Sequence, residues 1–431
     1  MNNKELKNRD LDVLWHPCTQ MKDHETLPLI PIRKGHGVYL EDFDGNSYID
    51  AISSWWVNMF GHTNKYINEK IKEQLDTLEH VILAGFTHEQ VIGLSERLVQ
   101  LTPEHLDKCF YSDNGSSAVE VALKMSYHAH LNDGKTKPLF VSLTNSYHGE
   151  TIGALSVGDV ELYKDTYKPL LMDTVQTPTP KDMSKESAIE AAKQFEALCK
   201  KRADEISAII IEPLIQGAGY MHMYHPHFLF LLREICTKYN VHLIADEVMV
   251  GFGRTGELFA CGKAGISPDF LVLSKGLTGG YLPLSVVLTS NEIYAKFYCD
   301  YNEHKAFLHS HSYTGNALAC AAANATLDIF ENENIIEKNK IKAVYMAKKL
   351  EKFAELENVA EIRQTGMICV VELKGYKAEE RIGLKIYEYG LKHGVLLRPL
   401  GHVLYFMPPY IITNEEIDTM MDVGYEAIQQ L

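Results

Sequence analysis

A chain of 431 residues has room for one large domain and a smaller one, because single hydrophobic cores stop growing at roughly 250–300 residues. Its 46% hydrophobic and 23% charged residues are ordinary for a globular protein and speak against an extended disordered chain. The 42 basic and 57 acidic side chains leave a formal charge of −15, which repels a nucleic-acid backbone over most of the surface.

The cysteines at 18, 109, 199, 236, 261, 299, 320 and 369 form no C-x-x-C pair and match no zinc or disulfide spacing, so a reducing cytoplasm is expected. The start, MNNKELKNRDLDVLWHP, is charged where a secretory signal needs an apolar stretch, and no run approaches the ~20 apolar residues of a membrane span. A soluble, unexported chain is expected.

In chain order, Gly37 to Trp56 alternates short apolar runs around Asp44-Gly45-Asn46, the pattern of a β-hairpin. From about Thr63 to Gln100 the spacing is helical, with Ile67, Ile71, Leu75 and Leu78 recurring every three or four positions. Between Lys108 and Ser290, short apolar strands alternate with loops and amphipathic helices. Strands are predicted at Cys109–Tyr111, Leu139–Leu143, Ala208–Ile211, Val241–Ala245, Phe270–Leu273 and Leu284–Leu288, and a surface loop at Gln176–Ser187. The alternation predicts an α/β fold with a mostly parallel central sheet and helices on both faces. Farther on, charged helices (Ile335–Leu356, Glu379–His393) surround strands at Ile368–Leu373, Val395–Leu397 and Val403–Met407, predicting a smaller α+β lobe. The expected division is 1–62 for the N-terminal part of the small lobe, 63–329 for the large domain and 330–431 for the C-terminal small domain.

Ligands in an open α/β sheet bind outside the carboxyl ends of the strands, so the polar residues there carry the functional signal. Asn114-Gly115-Ser116-Ser117 opens the predicted helix Ala118–His130 and offers backbone N–H groups, hydroxyls and a positive dipole end to a phosphate; a plain helix cap reads the same way. Tyr147, in Ser146-Tyr147-His148-Gly149, puts an aromatic ring at the rim, where it could lie on a planar cofactor. Asp246-Glu247 ends an apolar strand with two carboxylates that need partners, and a pyridine nitrogen would be a suitable one. Lys275 closes the strand Phe270–Leu273 and runs into glycines; desolvated there, its amine could attack an aldehyde. Each feature alone has a bland structural reading, and their joint order is what points to chemistry.

The run Asp246-Glu-Val-Met-Val-Gly-Phe-Gly-Arg-Thr-Gly256, with Pro268-Asp269 and Ser274-Lys275-Gly276-Leu277, resembles the signature of the class III aminotransferases. That resemblance implies a fold type I transferase dependent on pyridoxal 5′-phosphate, working as a homodimer with shared active sites. It makes Lys275 the Schiff-base lysine, Asp246 the partner of the pyridine nitrogen, Gly115 and Ser116 phosphate ligands, and Tyr147 a ring-stacking or substrate-facing residue. His311 and Ser312 would reach the phosphate of the neighbouring subunit. Trp15-His16-Pro17, Ser53-Ser54-Trp55-Trp56 and Leu397-Arg398-Pro399 resemble those members of the class that aminate 8-amino-7-oxononanoate to 7,8-diaminononanoate in biotin biosynthesis, usually with S-adenosylmethionine as donor. By that resemblance Trp55 lines the substrate channel, Ser310 contacts substrate and Arg398 binds its carboxylate.

Two departures bear on the donor: Cys18 stands where many members have an aromatic, and Ser310-His311-Ser312 where others have Gly-Pro-Thr. Lysine is the alternative donor. The histidines of Met221–His227 lack a carboxylate or cysteine at ligand spacing, so no metal is expected. Gly251-Phe252-Gly253 lacks the third glycine of a dinucleotide site and reads as a turn. The rival readings are another ω-aminotransferase of the class, acting on ornithine, 4-aminobutyrate or lysine, and a catalytically silent cofactor-binding regulator.

Overall fold

A computed structural model of the chain describes residues 1–27 and 29–431. Its contacts divide it into two compact units, Tyr66–Lys338 and Met1–Lys65 with Asn339–Leu431.

The larger unit is built on a seven-stranded sheet. Its spatial order is Lys108–Ser112, Ser285–Thr289, Phe270–Leu273, His242–Asp246, Ile206–Ile211, Leu139–Leu143 and Thr174–Thr177. Ser285–Thr289 runs antiparallel to both its neighbours and every other pairing is parallel. Consecutive residues of the inner strands are buried, as in Ile209-Ile210-Ile211 and Leu271-Val272-Leu273, so both faces of the sheet are covered. That explains their unbroken apolar runs. Helix Gly115–Asn132 covers one face with Val119, Leu123 and Met125 against Ile210, Ile244, Val272 and Val287.

Three details differ from the sequence expectation. The helical stretch from Thr63 to Gln100 is two helices, Lys65–Leu75 and Glu89–Leu101, with the chain between them passing through Gly85 at a φ of 91°. Helix Ala118–His130 starts earlier, at Gly115, because the Asn114 side chain accepts from Ser117 N and caps it. Thr174–Thr177, partly inside the expected surface loop, is the edge strand of the sheet; its polar Thr-Val-Gln-Thr gives no apolar run to read.

The smaller unit holds a four-stranded sheet in the order Ile32–His36, Tyr39–Asp42, Ser47–Asp50 and Val395–Leu396. The predicted hairpin is its middle pair, and it ends at Asp50 rather than Trp56. Val395–Leu396 joins in parallel, with Asp50 opposite Leu396. A second, antiparallel sheet pairs Val359–Thr365, Ile368–Leu373 and Val403–Phe406. Helix Asn414–Gln429 is fixed at its start by a reciprocal Thr413–Glu416 capping box. Among the described residues, no helix is long and apolar enough to cross a membrane.

Candidate active site

Three strand ends of the larger unit meet through residues too small to obstruct one another. A Cβ on Gly149 would lie 1.9 Å from Ser116 Oγ, so only glycine lets the Tyr147-His148-Gly149 turn rest on the first turn of helix Gly115–Asn132. Gly149 also holds a φ of 123°, which other residues reach only at a cost. A Cβ on Gly115 would lie 2.9 Å from Val248 Cγ1, which brings the helix start against the segment that follows Asp246. Ser116 Oγ accepts from Glu150 N at 3.2 Å, tying helix and turn together.

The two carboxylates of Asp246-Glu247 part company. Glu247 is wholly buried and accepts from Ala260 N and Cys261 N at 2.6 and 2.8 Å, capping the short helical turn Ala260–Ala264. Burial pushes its carboxyl up to about 7. Asp246 accepts from His148 Nδ1 at 2.8 Å and from Val248 N at 3.1 Å. The same histidine's Nε2 is buried without a hydrogen-bond partner among the described residues. His148 therefore orients the Asp246 carboxylate, a role that the Tyr-His-Gly motif carried but that sequence reasoning left unassigned.

Glu212 was also missed. It follows the strand Ile206–Ile211, and its two oxygens accept from Tyr147 N (2.9 Å) and Gly217 N (2.8 Å). Burial pushes it up to about 7, countered by His148. A carboxylate ending an isoleucine strand is the same signal that singled out Asp246.

Lys275 follows the strand Phe270–Leu273 with a φ of 46°, in the left-handed region where a non-glycine residue is strained. Desolvation lowers its amine to about 8, against the attraction of Asp246 and Glu212 and with the help of the buried Arg254. The residue as a whole keeps some exposure although its amine is desolvated.

Lys275, Asp246, Tyr147, Gly115 and Ser116 thus share one corner of the larger unit. Ser310, His311 and Ser312 lie on a later segment of it. Lys124 Nζ is 2.8 Å from His309 Nδ1, His309 Nε2 is 3.1 Å from His311 Nε2, and His311 Nδ1 is 3.2 Å from Asp113 Oδ2. The lysine can only donate, so His309 accepts at Nδ1 and its Nε2 is left to donate to His311 Nε2. His311 is thereby tied to the residue two before Gly115. Ser310 and Ser312 are exposed. Trp55 and Arg398 belong to the smaller unit, where the guanidinium sits 5.2 Å from the indole centre. They line a pocket of about 400 Å³ with Tyr48, Ile52, Tyr387 and Leu396.

The donor set suits pyridoxal phosphate. An amine of lowered basicity, a carboxylate held by a histidine, and a helix start whose Gly115 and Ser116 N–H groups make no intrahelical bond would provide attachment, a ring-nitrogen partner and an anion cradle.

The family model described as aminotransferase class III matches residues 20–428. The chain belongs to the class III aminotransferases. Enzymes of this class depend on pyridoxal phosphate. This aminotransferase is 56% identical to the adenosylmethionine-8-amino-7-oxononanoate aminotransferase of Helicobacter pylori, over 98% of this chain and 97% of that one. It is 42% identical to the protein of the same name from Geobacter sulfurreducens, over 97% and 96%. Among solved structures, the adenosylmethionine-8-amino-7-oxononanoate aminotransferase of Methanocaldococcus jannaschii superposes with a TM-score of 0.95 at 40% identity, covering 100% of this chain and 99% of that one. The omega transaminase of Pseudomonas jessenii in complex with PMP gives a TM-score of 0.93 at 27% identity, covering 99% and 98%.

Proposed function

We propose that this aminotransferase converts 8-amino-7-oxononanoate to 7,8-diaminononanoate, the biotin-building step, with S-adenosylmethionine as amino donor, in the cytoplasm and as a homodimer. The observation that carries the chemistry is Lys275 at the end of a buried strand, its amine desolvated and attracted by Asp246 and Glu212. The substrate is supported by full-length relatives that carry the name of this activity and by the pairing of Arg398 with Trp55 over a 400 Å³ pocket.

When bound, pyridoxal phosphate would supply the electron sink that transamination needs. Lys275 Nζ would hold the group covalently and, as a free neutral amine, would serve as the base that takes a proton from the substrate carbon and the acid that returns it. Asp246, aligned by His148, holds the proton on the ring nitrogen. The helix start at Gly115-Ser116 holds the phosphate, and Tyr147 covers the ring face or meets the substrate. The donor product leaves before the acceptor enters, so the kinetics are ping-pong. Arg398 takes the acceptor's carboxylate and Trp55 packs along its methylenes, while Ser310 contacts substrate.

The homodimer reading is supported by exposed Ile82, Phe86, Tyr298, Tyr301, Leu308 and Tyr313 in the larger unit, beside the segment carrying His311 and Ser312 that would reach the partner's phosphate. Eight free thiols suit the cytoplasm. A panel of donors with 8-amino-7-oxononanoate as acceptor tests the function: diaminononanoate formed with S-adenosylmethionine supports it, turnover with lysine alone moves the donor, and amination of ornithine-type acceptors instead overturns the substrate. Sedimentation velocity checks the dimer.

A further inference from the structure

Four consecutive non-glycine residues, Ser53, Ser54, Trp55 and Trp56, hold φ values of 52°, 47°, 70° and 73°. This is a single turn wound left-handed, and each residue in it pays a steric penalty between its Cβ and the following carbonyl. Such a turn persists only where its surroundings over-determine it.

The surroundings are specific. Asp50 is wholly buried. Its carboxylate accepts from Ser54 N at 2.9 Å, from Ser54 Oγ at 2.7 Å and from His62 Nε2 at 3.0 Å. His62 Nδ1 in turn accepts from Asn58 Nδ2 at 3.1 Å, which puts the ring proton on Nε2, facing Asp50. A Cβ on Gly35 would lie 2.7 Å from His62 Cβ, so glycine makes the room that this ring occupies. The turn's ends are pinned as well: Ser53 Oγ donates to Met407 O at 2.7 Å and Trp56 Nε1 to Tyr405 Oη at 3.0 Å.

With both ends fixed, Trp55 is the ring this turn delivers outward, 40% exposed and against Arg398. The sheet completes the arrangement. Asp50 lies opposite Leu396 on a parallel neighbour, so Trp55 and Arg398 leave adjacent strands at the same end. A right-handed turn from Asp50 would carry the indole off the guanidinium.

We propose that Asp50, braced by His62, is a positioning residue for acceptor specificity: it holds the turn 53–56 left-handed so that Trp55 packs against Arg398 at the wall of the pocket. This rests on the reading of that pocket as the acceptor's site.

Stopped-flow measurement of the two half-reactions in the holoenzyme tests it. Asp50→Asn keeps an acceptor for Ser54 N but cannot accept from both Ser54 Oγ and His62. It is expected to raise KM for 8-amino-7-oxononanoate about tenfold and to leave the donor half within about twofold. Adding Ser54→Gly, which adopts the left-handed conformation without penalty, is expected to recover most of that loss. Equal losses in both halves, an unchanged acceptor half, or no recovery with glycine overturns the role. If Asp50→Asn fails to fold, Ser54→Ala, which removes only the hydroxyl bond, is expected to show the same split at about threefold; equal losses there overturn it too. Arg398→Ala in parallel separates the failures. A selective acceptor loss there with none in Asp50→Asn overturns the positioning role alone, whereas no acceptor loss in either overturns the pocket reading with it.

Discussion

The corner around Lys275 and the pocket around Trp55 and Arg398 are built on opposite plans. Asp246 ends, and Lys275 and Glu212 follow, buried strands of one mostly parallel sheet, and the two carboxylates are fixed by backbone amides or by a buried histidine. Trp55 and Arg398 stand on a strained turn and on the loop after a two-residue strand, both partly exposed. Proton transfer demands sub-ångström placement, which a close-packed sheet supplies. Recognition of a flexible carboxylic acid tolerates an irregular platform, and irregular segments can change without disturbing the chemistry. Specificity can therefore shift within this fold while the reaction stays the same.

That contrast makes graded predictions. Lys275→Ala is expected to lower transamination by more than about 10⁴-fold, since it removes both the attachment point and the proton carrier, while the circular dichroism and melting temperature stay close to those of the parent. Measurable turnover would place the chemistry elsewhere. Asp246→Asn is expected to cost roughly 10²–10³-fold in kcat, because a neutral amide cannot hold the ring proton. A loss of only a few-fold in a steady-state assay would release Asp246 from that role.

The third concerns pH. The Lys275 amine is lowered to about 8, and its neutral form is the nucleophile. Below that value the protonated amine dominates, so the rate of cofactor attachment to the apoenzyme should fall about tenfold per unit as pH drops from 8 and level off above it. Absorbance-monitored reconstitution between pH 6.5 and 9 shows this directly. A rate still climbing at pH 9 would mean that burial does not lower the amine.

The sequence disclosed the two plans unequally. Leu139–Leu143 and Phe270–Leu273 are strands over the very residues predicted, because a doubly covered strand writes itself as an apolar run. The edge strand Thr174–Thr177 has no such run and was read in part as loop. Asp246 and Lys275 were legible as charges where apolar strands end. Glu212 offered the same signal but had no companion motif, and His148 was visible only as part of a motif, since its bond to Asp246 spans two strand ends. The left-handed turn at Ser53–Trp56 was invisible: its conformation is set by Asp50 and His62 rather than by local propensity, and the sequence suggests a hairpin through Trp56. The helix predicted from Ala118 begins at Gly115, because the Asn114 cap that the sequence allows there holds its first turn.

The division of labour between the two regions is tested most directly by timing the donor and acceptor half-reactions separately in Arg398→Ala. A charge-assisted bond to the acceptor's carboxylate contributes roughly 1.5–3 kcal/mol, so acceptor kcat/KM should fall about 10- to 150-fold while the donor half keeps its rate. Equal losses in the two halves, or an untouched acceptor half, would contradict the assignment of specificity to the pocket around Trp55 and Arg398.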